Sequence, residues 1–168
     1  MERKLGRPTD QRMAIIKNQA SELLWYGHIT TTLDRAKEVR RFAEKILTMA
    51  INSWEDDVKV VKNIKNASGK REEVEFTNDG ADKLAARRRM MSRLMDLQEV
   101  KKEKESKADF RARTKDINHP LIEKIFNEYA PKYSEKNASQ TQGGGYTRII
   151  RTGTRRGDNA KTVVLELV

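Results

Sequence analysis

Several residue types are scarce or missing in this 168-residue sequence, and their absence excludes whole classes of protein. There is no cysteine, which excludes disulfides and thiolate metal sites, and the presence of only two histidines argues against a histidine-based zinc cluster. No apolar run approaches the ~20 residues of a membrane-spanning helix. The N-terminus also lacks the apolar segment of a signal peptide. We therefore expect a cytoplasmic protein without a bound metal.

Motifs for catalysis are also missing. No glycine-rich segment ends in the Gly-Lys-Ser/Thr of a phosphate-binding loop. The glycines 143–145 precede a predicted strand, whereas phosphate-binding glycine loops precede a helix. The acidic residues are scattered and show no paired spacing. We predict that the chain is not an enzyme and has neither a cofactor nor a small-molecule substrate.

What the sequence has in abundance is charge. Charged and hydrophobic residues each make up 36%, which predicts a small core and a single domain (1–168) with extensions. The net charge is +10 and the pI about 9.8. Residues 54–82 oppose this trend, with five basic and eight acidic side chains. A positive charge concentrated in the remaining segments favours a polyanionic partner, because neutralised phosphates release condensed counterions.

The C-terminal segment predicts a β-hairpin that closes the fold. Two runs rich in β-branched and aromatic residues, 146–150 and 162–167, flank a turn-rich loop at 152–160. The successive apolar residues Val163, Val164 and Leu165 predict a strand covered on both faces. The loop carries Arg155 and Arg156, so we expect a cationic tip on an element that ends inside the core.

Two helices are predicted before residue 53. The first begins at Thr9 as the N-cap and ends at Gly27, with apolar residues at helical spacing and with Trp25 and Tyr26 at the rim of the core. A short strand, 28–31, follows, and a capping box of Thr31 with Asp34 begins the second helix. Its apolar stripe is the clearest in the chain and comprises Ala36, Val39, Ala43, Ile46, Leu47 and Ala50. Arg40 and Glu44 are spaced for an i,i+4 ion pair.

The middle of the chain alternates between strand-like and helical patterns. Residues 54–82 predict an inserted acidic hairpin that should avoid a phosphate backbone. A helix over 84–97 follows, with an apolar side formed by Leu84, Met91, Leu94 and Met95. A charged extension or loop at 98–116 leads to a helix that begins at Pro120 and ends at Pro131. A polar linker, 134–145, then leads into the closing hairpin.

Five separate segments carry a resemblance to a known family. They are RKLGR at 3–7, ITTT at 29–32 with AKEVR at 36–40, LAARR at 84–88, EYAPKY at 128–133, and GGYTRI at 144–149 with RGDNA at 156–160. Together they resemble the bacterial large-subunit ribosomal protein seventeen family, outside 54–82 and 98–116, where many members are shorter.

The resemblance implies an α+β, two-layer fold with helices packed on a small sheet made by the Ile29 strand and the C-terminal hairpin. It also implies a structural role in the large ribosomal subunit. The expected partners are the large-subunit rRNA and neighbouring ribosomal proteins near the peptide-exit side.

Folded rRNA is recognised by its shape and by phosphate contacts, for which arginine is well suited. The basic N-terminal arm (1–8) and the hairpin tip are the strongest candidates, together with cations on helix faces. The predicted RNA-binding residues are Arg3, Lys4, Arg7, Arg12, Lys17, Arg40, Arg41, Arg87, Arg88, Arg148, Arg151, Arg155 and Arg156.

Two alternatives remain open at the level of sequence. The chain could be a free cytoplasmic nucleic-acid-binding regulator, or a protein-interaction module that uses the acidic insertion at 54–82.

Overall fold

The body of the protein is a three-stranded antiparallel sheet with helices packed on one face. The computed structural model describes residues 4–65, 71–115, 117–140 and 142–168. Arg3 of the basic arm and residues 66–70 of the predicted hairpin therefore lie outside the described residues. The elements are α1 (Thr9–Tyr26), β1 (His28–Thr32), α2 (Leu33–Ile51), β2 (Asp57–Lys65), β3 (Arg71–Asp79), α3 (Ala81–Arg93), α4 (Lys107–Thr114), α5 (Pro120–Lys124), a π-helical turn (Ile125–Tyr129), α6 (Ala130–Ser139), β4 (Thr147–Thr154) and β5 (Lys161–Leu167).

The C-terminal strand β5 occupies the middle of the sheet, in the order β1-β5-β4. Ile29 and Ile149 flank Leu165 on either side. Val163 and Leu165 are fully buried, but Val164 between them is only partly covered. The expectation that both faces of this strand are covered is therefore wrong, because the helices pack against one face and leave the other open.

The closing hairpin is longer than predicted and its loop is shorter. Strand β4 continues to Thr154, past a register shift between Arg151 and Gly153. Gly153 has φ 142°, a conformation that residues with a side chain rarely adopt, so glycine permits this bulge. Strand β4 thus ends four residues later than the pattern predicted, and β5 begins one residue earlier.

Helix α2 lies at the centre of the body. All six residues of its predicted stripe are fully buried, and they divide between two adjoining clusters. The sheet core joins α1, α2 and the sheet through Ala20, Leu23, Ile29, Ala36, Val39, Ala43, Val163 and Leu165. The helix core joins α2 to α3 and to the helical segment 120–139. No helix in the described part of the chain is long and apolar enough to cross a membrane.

The ends of α1 and α2 differ in part from the predicted caps. Gly27 ends α1 as expected, with φ 82° and its N–H donating to the Leu23 carbonyl at 2.8 Å. The predicted N-caps are wrong, since Pro8 and Thr32 precede the first helical residues and neither makes a side-chain cap hydrogen bond. Thr31 lies in β1 with a buried side chain that bonds Gln19 at 3.1 Å. Its hydroxyl therefore joins β1 to α1 and does not cap α2.

The two aromatic residues at the end of α1 have different surroundings. Trp25 packs partly against the helix core, as the sequence predicted. Tyr26 is 67% exposed, so its assignment to the core rim is wrong. Successive residues of an α-helix are rotated by about 100° about its axis, so Tyr26 faces away from the core against which Trp25 packs. Gly27 then redirects the chain into β1.

Pro131 does not end its helix, contrary to the sequence prediction. Residues 120–139 form one continuous helical segment in which a π-helical turn immediately precedes Ala130. The Ala130 N–H bonds the Ile125 carbonyl, one residue further back than in an α-helix. A proline ring clashes with the carbonyl four residues earlier in an α-helix, and the wider turn relieves that clash. The predicted linker is correspondingly shorter, because the helix reaches Ser139.

Helix α3 packs through a different face from the one predicted. Its buried residues are Ala86 and Met90, continued by Leu94 just beyond the helix. Leu84, Met91 and Met95 are 37%, 41% and 48% exposed, so the predicted apolar side is wrong for these three.

The predicted inserted hairpin is confirmed as a two-stranded ribbon of nine residues a strand. The charged segment that follows α3 contains α4, which buries no residue. The hydroxyl of Ser106 caps this helix by accepting the N–H of Asp109 at 3.1 Å, and Arg113 ties it to Glu99 and Glu105.

Candidate nucleic-acid interface

Three segments that are distant in sequence meet at one surface cleft of about 650 Å³. Leu5 contributes the N-terminal arm, residues 32–37 contribute the start of α2, and residues 155–161 contribute the β4–β5 tip. Four cations line this space, and two carboxylates accompany them. The cations are Arg35, Lys37, Arg155 and Lys161; the carboxylates are Asp34 and Asp158.

The start of α2 adds a second source of positive potential to the cationic cleft. The first N–H groups of any α-helix lack partners within the helix, and the aligned peptide dipoles place partial positive charge there. The side chain of Thr32, the N-cap residue, makes no hydrogen bond to this end of the helix. The helix has 19 residues, and its first turn also holds Arg35. An anion in the cleft would therefore meet both formal charges and backbone donors.

The tip of the hairpin is a tightly bonded turn. The Arg155 guanidinium donates through Nε and Nη2 to the two oxygens of Asp158 at 2.9 and 2.5 Å. The Ala160 N–H also donates to Asp158 at 3.2 Å, and the Arg155 N–H bonds the Ala160 carbonyl at 2.9 Å. The hydrogen bond from Arg155, aided by that of Ala160, lowers the pKa of Asp158 to about 2. Asp158 is thus ionised across the physiological range.

Arg156 has different surroundings from its neighbour. It is exposed, and it forms no ion pair with any residue in the described ranges. The Arg155–Asp158 pair fixes the shape of the turn, and the turn presents Arg156 to solvent. The geometry suits a phosphate contact by Arg156 on a rigid support.

The sequence comparisons agree with one another. Residues 15–168 match the sequence model of the family described as Ribosomal protein L17. The chain belongs to the ribosomal protein L17 family. It is 37% identical to the large ribosomal subunit protein bL17 of Lachnospira eligens, with 99% of this chain and 98% of that protein covered. It is also 37% identical to bL17 of Clostridium tetani and 36% identical to bL17 of Thermoanaerobacter sp., with 96% and 97% of those proteins covered. As an L17-family member, the chain is a structural component of the large ribosomal subunit.

The alignment with the Clostridium tetani protein spans 166 residues and 99% of this 168-residue chain. The inserted hairpin and the charged segment therefore lie within the matched region.

The other predicted RNA-binding residues of this L17-family chain are spread over several faces. Lys4, Arg7, Arg41, Arg88 and Arg151 are exposed, whereas Arg12 and Lys17 on α1 are half-buried. Lys17 donates to the Ser92 carbonyl at 3.2 Å. Whether these residues contact RNA stays a prediction.

Besides Arg155, three candidates pair with carboxylates inside the protein: Arg40, Arg148 and Arg87. Arg40 pairs with Glu44 at 3.1 Å, as its spacing predicted, and Glu44 also accepts the Thr147 hydroxyl at 2.8 Å. Arg148 lies 3.5 Å from Glu166, but more than half of its side chain is exposed.

Arg87 is the most enclosed candidate. It pairs with Asp79 at 2.5 Å and with Glu123, and its guanidinium lies 5.2 Å from the centre of the Phe126 ring. Burial lowers the Arg87 pKa, but the bonds and charges of the two carboxylates outweigh this effect and raise it. In the free chain Arg87 joins α3 to β3 and α5, and only 19% of its side chain is exposed.

Arg35, Lys37 and Lys161 line the cationic cleft but were not among the predicted site residues. A local signal was present for each. Arg35 and Lys37 follow the predicted start of α2 within about one turn, and Lys161 immediately follows the predicted tip loop. Only the sheet pairing, however, brings the two groups together, because it places the tip beside the end of β1.

Proposed function

We propose that this chain binds large-subunit rRNA through the cationic cleft, with phosphate groups as the main ligands and the shape of the folded RNA as the source of specificity. The observation that carries the proposal is the convergence of the arm, the start of α2 and the tip at one cleft. Four cations and a helix N-terminus provide fixed positive potential there. Asp34 and Asp158 would repel phosphate, so the phosphates would bind beside the cations and away from these two carboxylates.

The test is binding of the full chain to large-subunit rRNA over a range of salt concentrations. The cleft variant carries Lys37→Ala and Lys161→Ala in the cleft and Arg156→Ala on the adjoining tip, three exposed residues outside both cores. Each lost phosphate contact flattens the dependence of log affinity on log salt by about one unit, so we expect a slope about three units shallower.

The matched control removes the same charge elsewhere. Lys101, Lys102 and Lys115 are exposed cations of the charged segment, and their triple alanine variant has the same net charge as the cleft variant. We expect it to keep a steeper salt dependence than the cleft variant. Equal slopes for the two variants would mean that binding follows net charge alone, and the proposed site would be rejected.

The neighbouring proteins near the peptide-exit side belong to the same proposal, and the family resemblance supports them. Cross-linking of the chain within intact large subunits, followed by identification of the attached peptides, tests this part. Attachment only to proteins remote from the exit side would contradict it.

A further inference from the structure

The carboxylates at the base of the inserted hairpin bond within the protein. Asp56 accepts the backbone N–H groups of Asp82 and Lys83 at 2.8 and 3.3 Å, at the start of α3. Asp57 pairs with Lys83 at 2.7 Å. Asp79 pairs with the Arg87 guanidinium. Three of the eight carboxylates of residues 54–82 are thus used inside the protein, where they hold the ribbon against α3.

Beyond the base the balance of charge is reversed. Residues 58–78 contain five basic and three acidic side chains. Lys62 lies over the Phe76 ring, 5.5 Å from its centre. The sequence-level expectation that this hairpin avoids phosphates rested on the charge of the whole segment, and the structure removes that basis for the outer part.

At the far end of the described ribbon two cations face each other. The register pairs Lys65 with Arg71, and directly opposed residues have Cβ atoms about 4.5–5.5 Å apart. Like charges in this arrangement destabilise a hairpin. In the ranges that the structure describes, neither side chain has a carboxylate within ion-pair distance. An external anion between or beside them would remove the repulsion.

The ribbon holds this pair well away from the body. Nine residues at about 3.3 Å each span roughly 30 Å, and the hairpin's main contacts outside itself are with α3. Lys83 and Arg87 both lie over Phe126 and bond the carboxylates at the base, which fixes the direction of the ribbon. Val60 and Phe76 pack across the strands and keep it folded.

We propose that the β2–β3 hairpin is a second rRNA contact, separate from the cationic cleft, and that Lys65 and Arg71 at its far end bind backbone phosphate. This inference rests on the proposed function, since it names a further contact of the same RNA. The opposed cations favour a phosphate group over a protein surface as the ligand.

Site-specific photo-cross-linking in intact large subunits tests the proposal. A benzophenone amino acid replaces Asn63, an exposed residue on the same ribbon face as Lys65. A second chain carries it at Gly157 of the tip, where the surrounding space is open. We expect nuclease-sensitive cross-links to rRNA from both positions.

The two positions separate the two proposals. RNA attachment from position 157 but not from position 63 would overturn the hairpin contact and leave the cleft standing. No RNA attachment from either position would overturn both. Attachment of position 63 only to protein, whether a neighbour or a second copy of this chain, would also reject the hairpin contact.

A charge variant provides the second measurement. Lys65→Ala with Arg71→Ala should make the salt dependence of rRNA binding shallower by about two units. The control Lys101→Ala with Lys102→Ala has the same net charge and should change the slope by less than half as much. The same slope for both variants would count against phosphate binding at the far end of the hairpin.

Discussion

The two adjacent arginines at the β4–β5 tip show how a single residue's neighbours decide its role. Arg155 is held by both oxygens of Asp158, whereas Arg156 points into solvent. Sequence alone ranks the two equally, because both occupy the same cationic loop. The structure separates a residue that shapes the turn from one that is available to a ligand.

The pKa of Asp158 gives a direct measure of that turn. We expect its carboxyl group to titrate at about 2 in the native chain, and Arg155→Ala should raise this pKa toward the ordinary value of 3.8. Because the folded pKa is lowered, its stabilising effect is complete above about pH 4 and is lost as the pH falls through about 2. Carboxyl-carbon NMR titration measures both values.

Arg156→Ala is the matched control for this titration. It removes the same charge one residue away and should leave the Asp158 pKa close to its native value. An equal rise in both variants would show that general positive charge, and not the bonded pair, lowers this pKa.

At the scale of elements, sequence patterns succeeded where one apolar stripe dominated. Helix α2 has a single stripe, and all six predicted residues are buried. Helix α3 and the two residues after it offer two competing sets: the predicted set of Leu84, Met91, Leu94 and Met95, and the buried set of Ala86, Met90 and Leu94. Helical spacing fits both, and the larger side chains favoured the wrong one. The ion pairs of Lys83 and Arg87 turn the second set inward.

Pro131 marks a different limit of sequence patterns. Its ring is incompatible with a regular α-helix at that point, so ending the helix was the natural prediction. A π-helical turn, which requires one wider hydrogen bond, let the helix continue. No simple sequence pattern predicts such a turn, because its stability comes from packing of Ile125 and Phe126 in the helix core.

The ion pairs of Arg87 should control the attachment of the inserted hairpin. We expect Arg87→Ala to lower the free energy of unfolding by about 2 kcal/mol, since two charge-assisted pairs, with Asp79 and with Glu123, are lost. Amide exchange in β2 and β3 should become faster, because the base of the ribbon is released. Urea unfolding and hydrogen exchange measure the two effects.

Arg88→Ala controls for loss of an arginine from the same helix. Arg88 is exposed, and we expect its substitution to change stability by less than about 0.5 kcal/mol. If Arg87→Ala also had so small an effect, the expectation that the ion pairs of Arg87 attach the hairpin to the body would be disproved.

At the scale of the whole molecule, the body and the inserted hairpin are separable. No residue of β2 or β3 belongs to the sheet core or to the helix core. We therefore expect that replacing residues 58–78 with a short Gly-Ser turn changes the free energy of unfolding by no more than about 1 kcal/mol. The shortened chain should still enter large subunits, and sedimentation in sucrose gradients would show this.

Leu165→Ala provides the positive control for that comparison. Leu165 is fully buried in the sheet core, and its truncation should cost about 2–5 kcal/mol. A loss of similar size on shortening the hairpin would show that the ribbon is part of the folding unit, contrary to the expectation.

Charge totals were informative for the whole chain but misleading for the insertion. The net charge of +10 correctly indicated the class of partner that fits a ribosomal protein. The net negative charge of residues 54–82 conceals the difference between the paired carboxylates at the base and the outer part, where five basic side chains outnumber three acidic ones. Likewise, the cations of the cleft come from opposite ends of the chain, so no sequence window could have grouped them.

The central place of β5 determines when the fold can form during synthesis. Strand β1 emerges from the ribosome early, yet its only ladder partner among the described residues is β5, which is translated after every other described element. Until then α1 and α2 lack the strand that completes their core. The sheet therefore stays incomplete until β5 has emerged. The cleft that depends on the sheet forms only after residues 161–167 have left the exit tunnel.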